Sequence, residues 1–157
     1  MRVHLLAVGQ KMPRWVRDGY LEYADRLRGE LRLELKEIPP GKRGRNTDVS
    51  RAIELEGARL ISAIPRRARV IALDVGGGFW STEQLSREVE NWLAGGSDVA
   101  LLVGGPEGLS SACLERADSR WSLSALTYPH PLVRIIVAEQ LYRAISLLRN
   151  HPYHRAG

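Results

Sequence analysis

Cysteine is nearly absent: one thiol, Cys113, occurs in 157 residues. A lone cysteine cannot close an internal disulfide, so the fold is expected to rest on its core, and a cytoplasmic setting follows. Long apolar runs are missing too. No stretch approaches the roughly eighteen apolar residues of a membrane-spanning helix. The opening MRVHLLAVGQ breaks its apolar run at His4 and lacks the cleavage pattern of a secretory signal, so it reads as a strand rather than an address. Several catalytic signatures are also lacking. There is no H-E-x-x-H, no phosphate-gripping G-x-x-x-x-G-K-[ST] and no G-x-S-x-G nucleophile turn. The Gly76–Gly78 run fails the dinucleotide pattern because Ser81 stands where its last glycine belongs. His151 and His154 have no second ligand pair, so no metal is expected. Cys113, beside Leu114, reads as a small core residue.

What remains is ample for one core. Hydrophobic residues make up 44% of the chain, and residues 1–157 are expected to form a single domain. Lys and Arg number 23 against 18 Asp and Glu, a net charge of +5 that suits a polyanionic partner without naming one. Val3 to Val8, Arg69 to Val75 and Val99 to Val103 read as buried strands. Leu31 to Ile38 alternates apolar and charged residues, the pattern of an edge strand with one wet face. The SRWSLSAL segment is strand-like. Between these lie helical periodicities: Pro13 to Gly29, a helix capped by Thr47 or Asp48 and ended by Pro65, and one opened by the Ser81–Gln84 capping box. A short helix at SSACLERA and a long one from about Pro131 to Leu148 complete the set. Alternation of this kind indicates an α/β fold with a mostly parallel sheet flanked by helices.

The last helix is apolar nearly all round, through Leu132, Val133, Ile135, Ile136, Val137 and Leu141. A sheet covers one side of a helix, so a homodimer packed through this one is expected. Ligands of a parallel sheet lie beyond the carboxyl ends of its strands. Three exits there are rich in glycine, serine or proline: LDVGGGF, GGPEGL and SLSALTYPHP, which together outline one pocket. The triple glycine alone reads first as a plain turn ending its strand. PPGKRGRNTD, with no apolar residue to bury, reads as the most mobile loop; its Lys42, Arg43 and Arg45 are either solvated or a clamp on phosphates. The NHPYHRAG ending is either a disordered tail or an RNA-facing one. His130 either packs locally or acts chemically, and Glu139 with Arg143 forms an i,i+4 pair.

KMPRWV, EIPPGKRGRN, LVGGPEGLS, SLSALTYPHPLVRIIVAEQLYRA and NHPYHR together resemble the ribosomal large-subunit RNA (pseudouridine-N3)-methyltransferases of the SPOUT class, from Met1 to Arg155. The resemblance implies a SPOUT fold whose carboxyl-terminal part is threaded as a trefoil knot, an obligate homodimer, and S-adenosylmethionine held by the knotted loops. It implies cofactor contacts at Leu73, at Gly105, and along Ser124, Ala125, Leu126, Thr127, Tyr128 and Pro129. Gly105 would leave main chain open to the adenine edge, and Pro106 would fix the turn. The implied reaction methylates N3 of a pseudouridine in large-subunit ribosomal RNA, presented by the large subunit or the whole ribosome. His154, Tyr153 and His130 are candidates for the group that takes the N3 proton. Lys42, Arg43, Arg45, Arg134, Arg143 and Arg155 are candidates for holding RNA. Two other readings stand beside it: a non-catalytic ribosome- or RNA-binding factor, and a SPOUT methyltransferase acting on tRNA.

Overall fold

The computed structural model describes residues 1–46 and 48–155, without the side chain of His154. The elements run β1 (Arg2–Val8), α1 (Arg14–Ala24), β2 (Arg32–Ile38), α2 (Val49–Ala63), β3 (Arg69–Phe79), α3 (Thr82–Gly95), β4 (Val99–Val103), α4 (Ser111–Arg116), β5 (Ser119–Ser122) and α5 (His130–Leu148), then a 3-10 turn at Pro152–His154. The five strands form one parallel sheet in the order β2-β1-β4-β3-β5. Each strand-helix-strand passage returns the chain in the same direction, which is why every strand exit falls on one edge.

Strand residues alternate between two helical layers. Val3, Leu5, Ala7, Ile71 and Leu101 face Tyr20 of α1, Val89 and Trp92 of α3, and Val137 and Leu141 of α5. Leu6, Val8, Val70, Ala100 and Leu102 face Leu60 of α2 and Cys113 of α4. The central strands are therefore apolar throughout, whereas β2, on the edge, keeps Arg32, Glu34 and Lys36 exposed. Asp48 caps α2 by accepting from the Ser50 N–H, while Thr47 lies outside the described residues. Ser81 and Gln84 form the expected reciprocal capping box of α3. No helix among the described residues is long and apolar enough to cross a membrane.

Two expectations need correction. Gly76–Gly78 does not end β3. Leu73 and Gly78 both pair with Trp121, so Asp74 to Gly77 bulge out of the ladder and the strand resumes to Phe79. Gly77 is required there because a Cβ would stand 2.7 Å from the backbone of Arg120 and Trp121. Around α5, the helices α1 and α3 pack in the same layer above the sheet and leave Leu132, Val133, Ile135 and Ile136 half-buried. Residues 39–43 of the loop after β2 are pinned rather than loose. Arg59 donates to the carbonyls of Pro39 and Pro40, Glu56 accepts from the Gly41 N–H, and Gly41 presses on the backbone of Ala52.

Candidate active site

Parallel polarity gathers the exits of β4, β3 and β5, which are neighbours in the sheet, at its carboxyl edge. After β4 the chain makes a β-turn in which the Gly108 N–H donates to the Gly105 carbonyl at 3.0 Å. Pro106 takes the second position, where its fixed φ suits the turn, and Gly108 follows with φ +88°. A Cβ on Gly104 would collide with the Gly108 backbone. On Gly105 it would point inward, 3.3 Å from Glu56 Oε1 and Val8 Cγ1 and 3.4 Å from Arg43 Nη2. The missing side chain at Gly105 thus makes room for an internal ion pair. Open space lies instead beside Gly78 and Gly108, where an added Cβ would meet nothing.

The third exit is shaped by two serines. Ser122 Oγ donates to the Ser124 carbonyl, and Ser124 Oγ accepts from the Leu126 N–H at 3.0 Å, holding the loop that runs through Ala125, Leu126, Thr127, Tyr128 and Pro129. Leu126, Val75 and Phe79 are largely exposed, so these exits present apolar groups as well as main chain. Leu73 sits in the β3–β5 ladder opposite Trp121, whose indole stacks on Trp80 with centroids 5.0 Å apart.

The Ser124–Pro129 loop leads directly into His130 and α5. An added Cβ on Gly9, at the end of β1, would touch His130 Cε1 and Arg134 Nη2 at 3.2 and 3.3 Å, so these two side chains meet over the β1 exit. Burial holds the His130 imidazole below its ordinary value, helped by the charges of Arg134 and Arg43 against the opposite pull of Glu56. Its Nδ1 is buried without a partner. Arg134 is 1% exposed and donates to Glu37 Oε2 at 2.6 Å and to the Gly9 carbonyl at 2.9 Å. Arg43 is likewise turned inward, onto Glu56 and Glu107. Arg134 is buried and Arg43 about a quarter exposed, and both guanidiniums are engaged within the protein. Lys42, Arg45 and Arg155 are exposed.

Arg143 bonds Glu139 and lies 5.0 Å from the Tyr153 ring centroid. Tyr153 also packs on Tyr142, lies 5.8 Å from the Arg26 guanidinium, and donates its hydroxyl to Glu139. Burial and the Glu139 carboxylate push the phenol up to about 12. It therefore keeps its proton at neutral pH and is a donor, not a base, in this arrangement. The Tyr153 part of the tail is docked rather than loose; the side chain of His154 lies outside the described residues.

A family model described as "Predicted SPOUT methyltransferase" matches residues 1–154. The chain belongs to the SPOUT methyltransferase family. Relatives named "Ribosomal RNA large subunit methyltransferase H" share 61% identity in Thioalkalivibrio sulfidiphilus, covering 99% of both chains, and 57% in Methylococcus capsulatus, covering 99% of this chain and 100% of that one. Among solved structures, TrmJ from Z. mobilis ZM4 superposes with a TM-score of 0.55 at 13% identity, over 91% of this chain and 69% of that one. A probable methylase family protein from Haemophilus influenzae Rd KW20 gives 0.53 at 12%, over 99% and 70%. At such identity the likeness speaks for the SPOUT fold alone.

Concavity does not locate the site in this SPOUT chain. One hollow of about 320 Å³ is lined by Arg67, Arg69, Trp92 and Asp118, and another of about 410 Å³ by Asp25, Arg28, Arg32 and Glu34, both beside the amino ends of strands. Strand polarity and the exit loops point to the opposite edge. Sequence reasoning passed over Glu56 and Glu37, which receive the two inward arginines. Glu56 had a signal: with Ala52 and Leu60 it falls on the buried i, i+4, i+8 stripe of α2, where a carboxylate needs a partner.

Proposed function

We propose that the chain transfers a methyl group from S-adenosylmethionine to N3 of a pseudouridine in large-subunit ribosomal RNA, on the assembled ribosome or its large subunit in the cytoplasm. The observation that carries this reading is identity of 56–61% with proteins named for methylating large-subunit RNA, spread over nearly the full length of both chains. The motifs that imply a pseudouridine N3 target lie within that span.

The carboxyl edge fits the cofactor chemically. Main chain beside Gly78 and Gly108 is free of side chains, and Leu126, Val75 and Phe79 offer exposed apolar surface to an adenine. When bound, S-adenosylmethionine supplies a methyl group on a positive sulfur, which N3 takes in line while the sulfur leaves as a neutral thioether. The protein's share is chiefly placement, since holding reactants in line supplies on the order of 7–11 kcal/mol of such a barrier. Leu73, Gly105 and Ser124 to Pro129 form the walls. The N3 proton must also leave. His130, held neutral near pH 7 with an unpartnered Nδ1, suits that acceptor role better than Tyr153, whose phenol stays protonated. His154 is the other candidate; exposed Arg155 would meet RNA where the tail ends, with Arg143 holding Tyr153 beside it.

Lys42 and Arg45 form the cationic rim over which RNA approaches, by shape and phosphate contacts more than by base edges. A homodimer is supported by Leu132, Val133, Ile135 and Ile136 of α5, apolar side chains that the single chain leaves half-buried. The family's threaded carboxyl-terminal knot belongs to the same reading. Incubating the protein with labelled S-adenosylmethionine and, separately, ribosomes, large subunits or tRNA tests it. Label in a pseudouridine of large-subunit RNA, lost when N3 is blocked, supports the reading; label in tRNA alone, or none anywhere, overturns it.

A further inference from the structure

The Gly104–Gly108 turn is braced by a residue about sixty positions earlier. Arg43 lies between two carboxylates: Nη1 and Nη2 donate to Glu56 at 2.5 and 3.0 Å, while Nε and Nη2 donate to Glu107 at 3.1 and 2.5 Å. Its remaining N–H, on Nη1, goes to the Gly41 carbonyl at 3.1 Å. A guanidinium has five N–H donors, and here all five are used within the protein, leaving none for a phosphate. Glu56, 2% exposed, is held in turn by the Gly41 N–H.

The turn has little stiffness of its own. Three of its five residues are glycines, one at positive φ, and glycine loses the most conformational freedom on ordering. Pro106 fixes one φ only. Glu107 is the turn's one charged side chain, and Arg43 is the group that ties it to the rigid α2 helix through Glu56. The contact at Gly105 completes the lock, because Arg43 Nη2 and Glu56 Oε1 lie where its side chain would be.

We propose that Arg43 is a positioning residue for methyl-donor binding: by bridging Glu107 to Glu56 it holds the Gly104–Gly108 turn in the shape that receives the donor. This rests on the reading above, in which that turn walls the cofactor site. A lysine cannot replace it, since an ammonium is a point charge with three donors and cannot span two carboxylates in a planar fork.

The test compares the full-length protein with Glu107→Gln, Arg43→Lys and the double variant. Calorimetry gives the S-adenosylmethionine Kd, methyl transfer to ribosomes gives KM for each substrate and kcat, and thermal melting reports the fold. Each single variant should weaken donor binding about five- to tenfold, a modest loss because Glu107 is a third exposed. The donor KM should rise in parallel while kcat at saturating donor and the KM for ribosomes stay within twofold. The double variant should be no worse than either single one, because both break the same bridge. A wild type that binds no donor would remove the cofactor reading itself and this proposal with it. Wild-type binding with unchanged Kd in both single variants would overturn the positioning role alone. So would a raised ribosome KM with unaltered donor Kd, the signature of a phosphate contact.

Discussion

Replacing Arg134 with methionine probes the junction over the β1 exit, because the unbranched stem is kept while the guanidinium is removed. Arg134 donates to the buried Gly9 carbonyl at 2.9 Å, and leaving that acceptor without a donor costs about 1–3 kcal/mol. Glu37, 37% exposed, can turn to water, so breaking its pair adds less than about 1 kcal/mol. Part is returned, since the wild-type guanidinium carries a buried Nε with no acceptor. The net expectation is about 2 kcal/mol, or a melting temperature lower by about 4–8 °C in a chain of this size. The substitution should also move His130, whose protonation is opposed by burial first and by Arg134 next. The sign follows from linkage. The folded chain resists protonating His130, so the unfolded chain takes up the proton first as pH falls below about 6.5, and wild-type stability declines from there through the depressed folded value. In Arg134→Met the midpoint rises toward the ordinary value and this decline becomes shallower. Urea unfolding on both sides of that pH, with an NMR titration of the His130 ring, measures both effects. Unchanged stability together with an unmoved His130 midpoint would refute the geometry described for this junction.

Gly77→Ala should destabilise the protein by about 1–3 kcal/mol and weaken donor binding, because its methyl would sit 2.7 Å from the β5 backbone and push the bulge aside; urea unfolding and calorimetry read the two effects. Replacing Lys42 and Arg45 with alanine should lower ribosome affinity and reduce the slope of its logarithm against log salt by about 0.7–0.9 for each phosphate no longer neutralised, with donor Kd unchanged. Removing residues 151–157 should leave donor affinity within twofold and abolish methylation. Full turnover by that truncation would show the tail to be dispensable.

Much of the fold was legible because local and global signals agree. The apolar runs of β1 and β4 announce strands covered on both faces, and the alternation in β2 announces an edge. The Ser81–Gln84 box places the start of α3 to the residue. What was missed depends on neighbours distant in sequence. Whether three glycines turn a strand or bulge it is decided by Trp121, more than forty residues later, which pairs with both Leu73 and Gly78. Charge signs in PPGKRGRNTD suggest a solvated arm, yet Arg43 is drawn inward by Glu56. Arg134 was discoverable, since with Val137, Ala138 and Leu141 it lies on the stripe of α5 that faces the core, where a cation must find an acceptor.

The central claim is that the carboxyl edge of the sheet, and not either hollow beside the strands' amino ends, receives the methyl donor. Backbone amide NMR during titration with S-adenosylmethionine tests it directly. Shifts are predicted at residues 73–79, at Gly104 to Gly108 and at Ser124 to Tyr128. Shifts confined to Arg67, Arg69, Trp92 and Asp118, or to Arg28 and Arg32, would contradict the account.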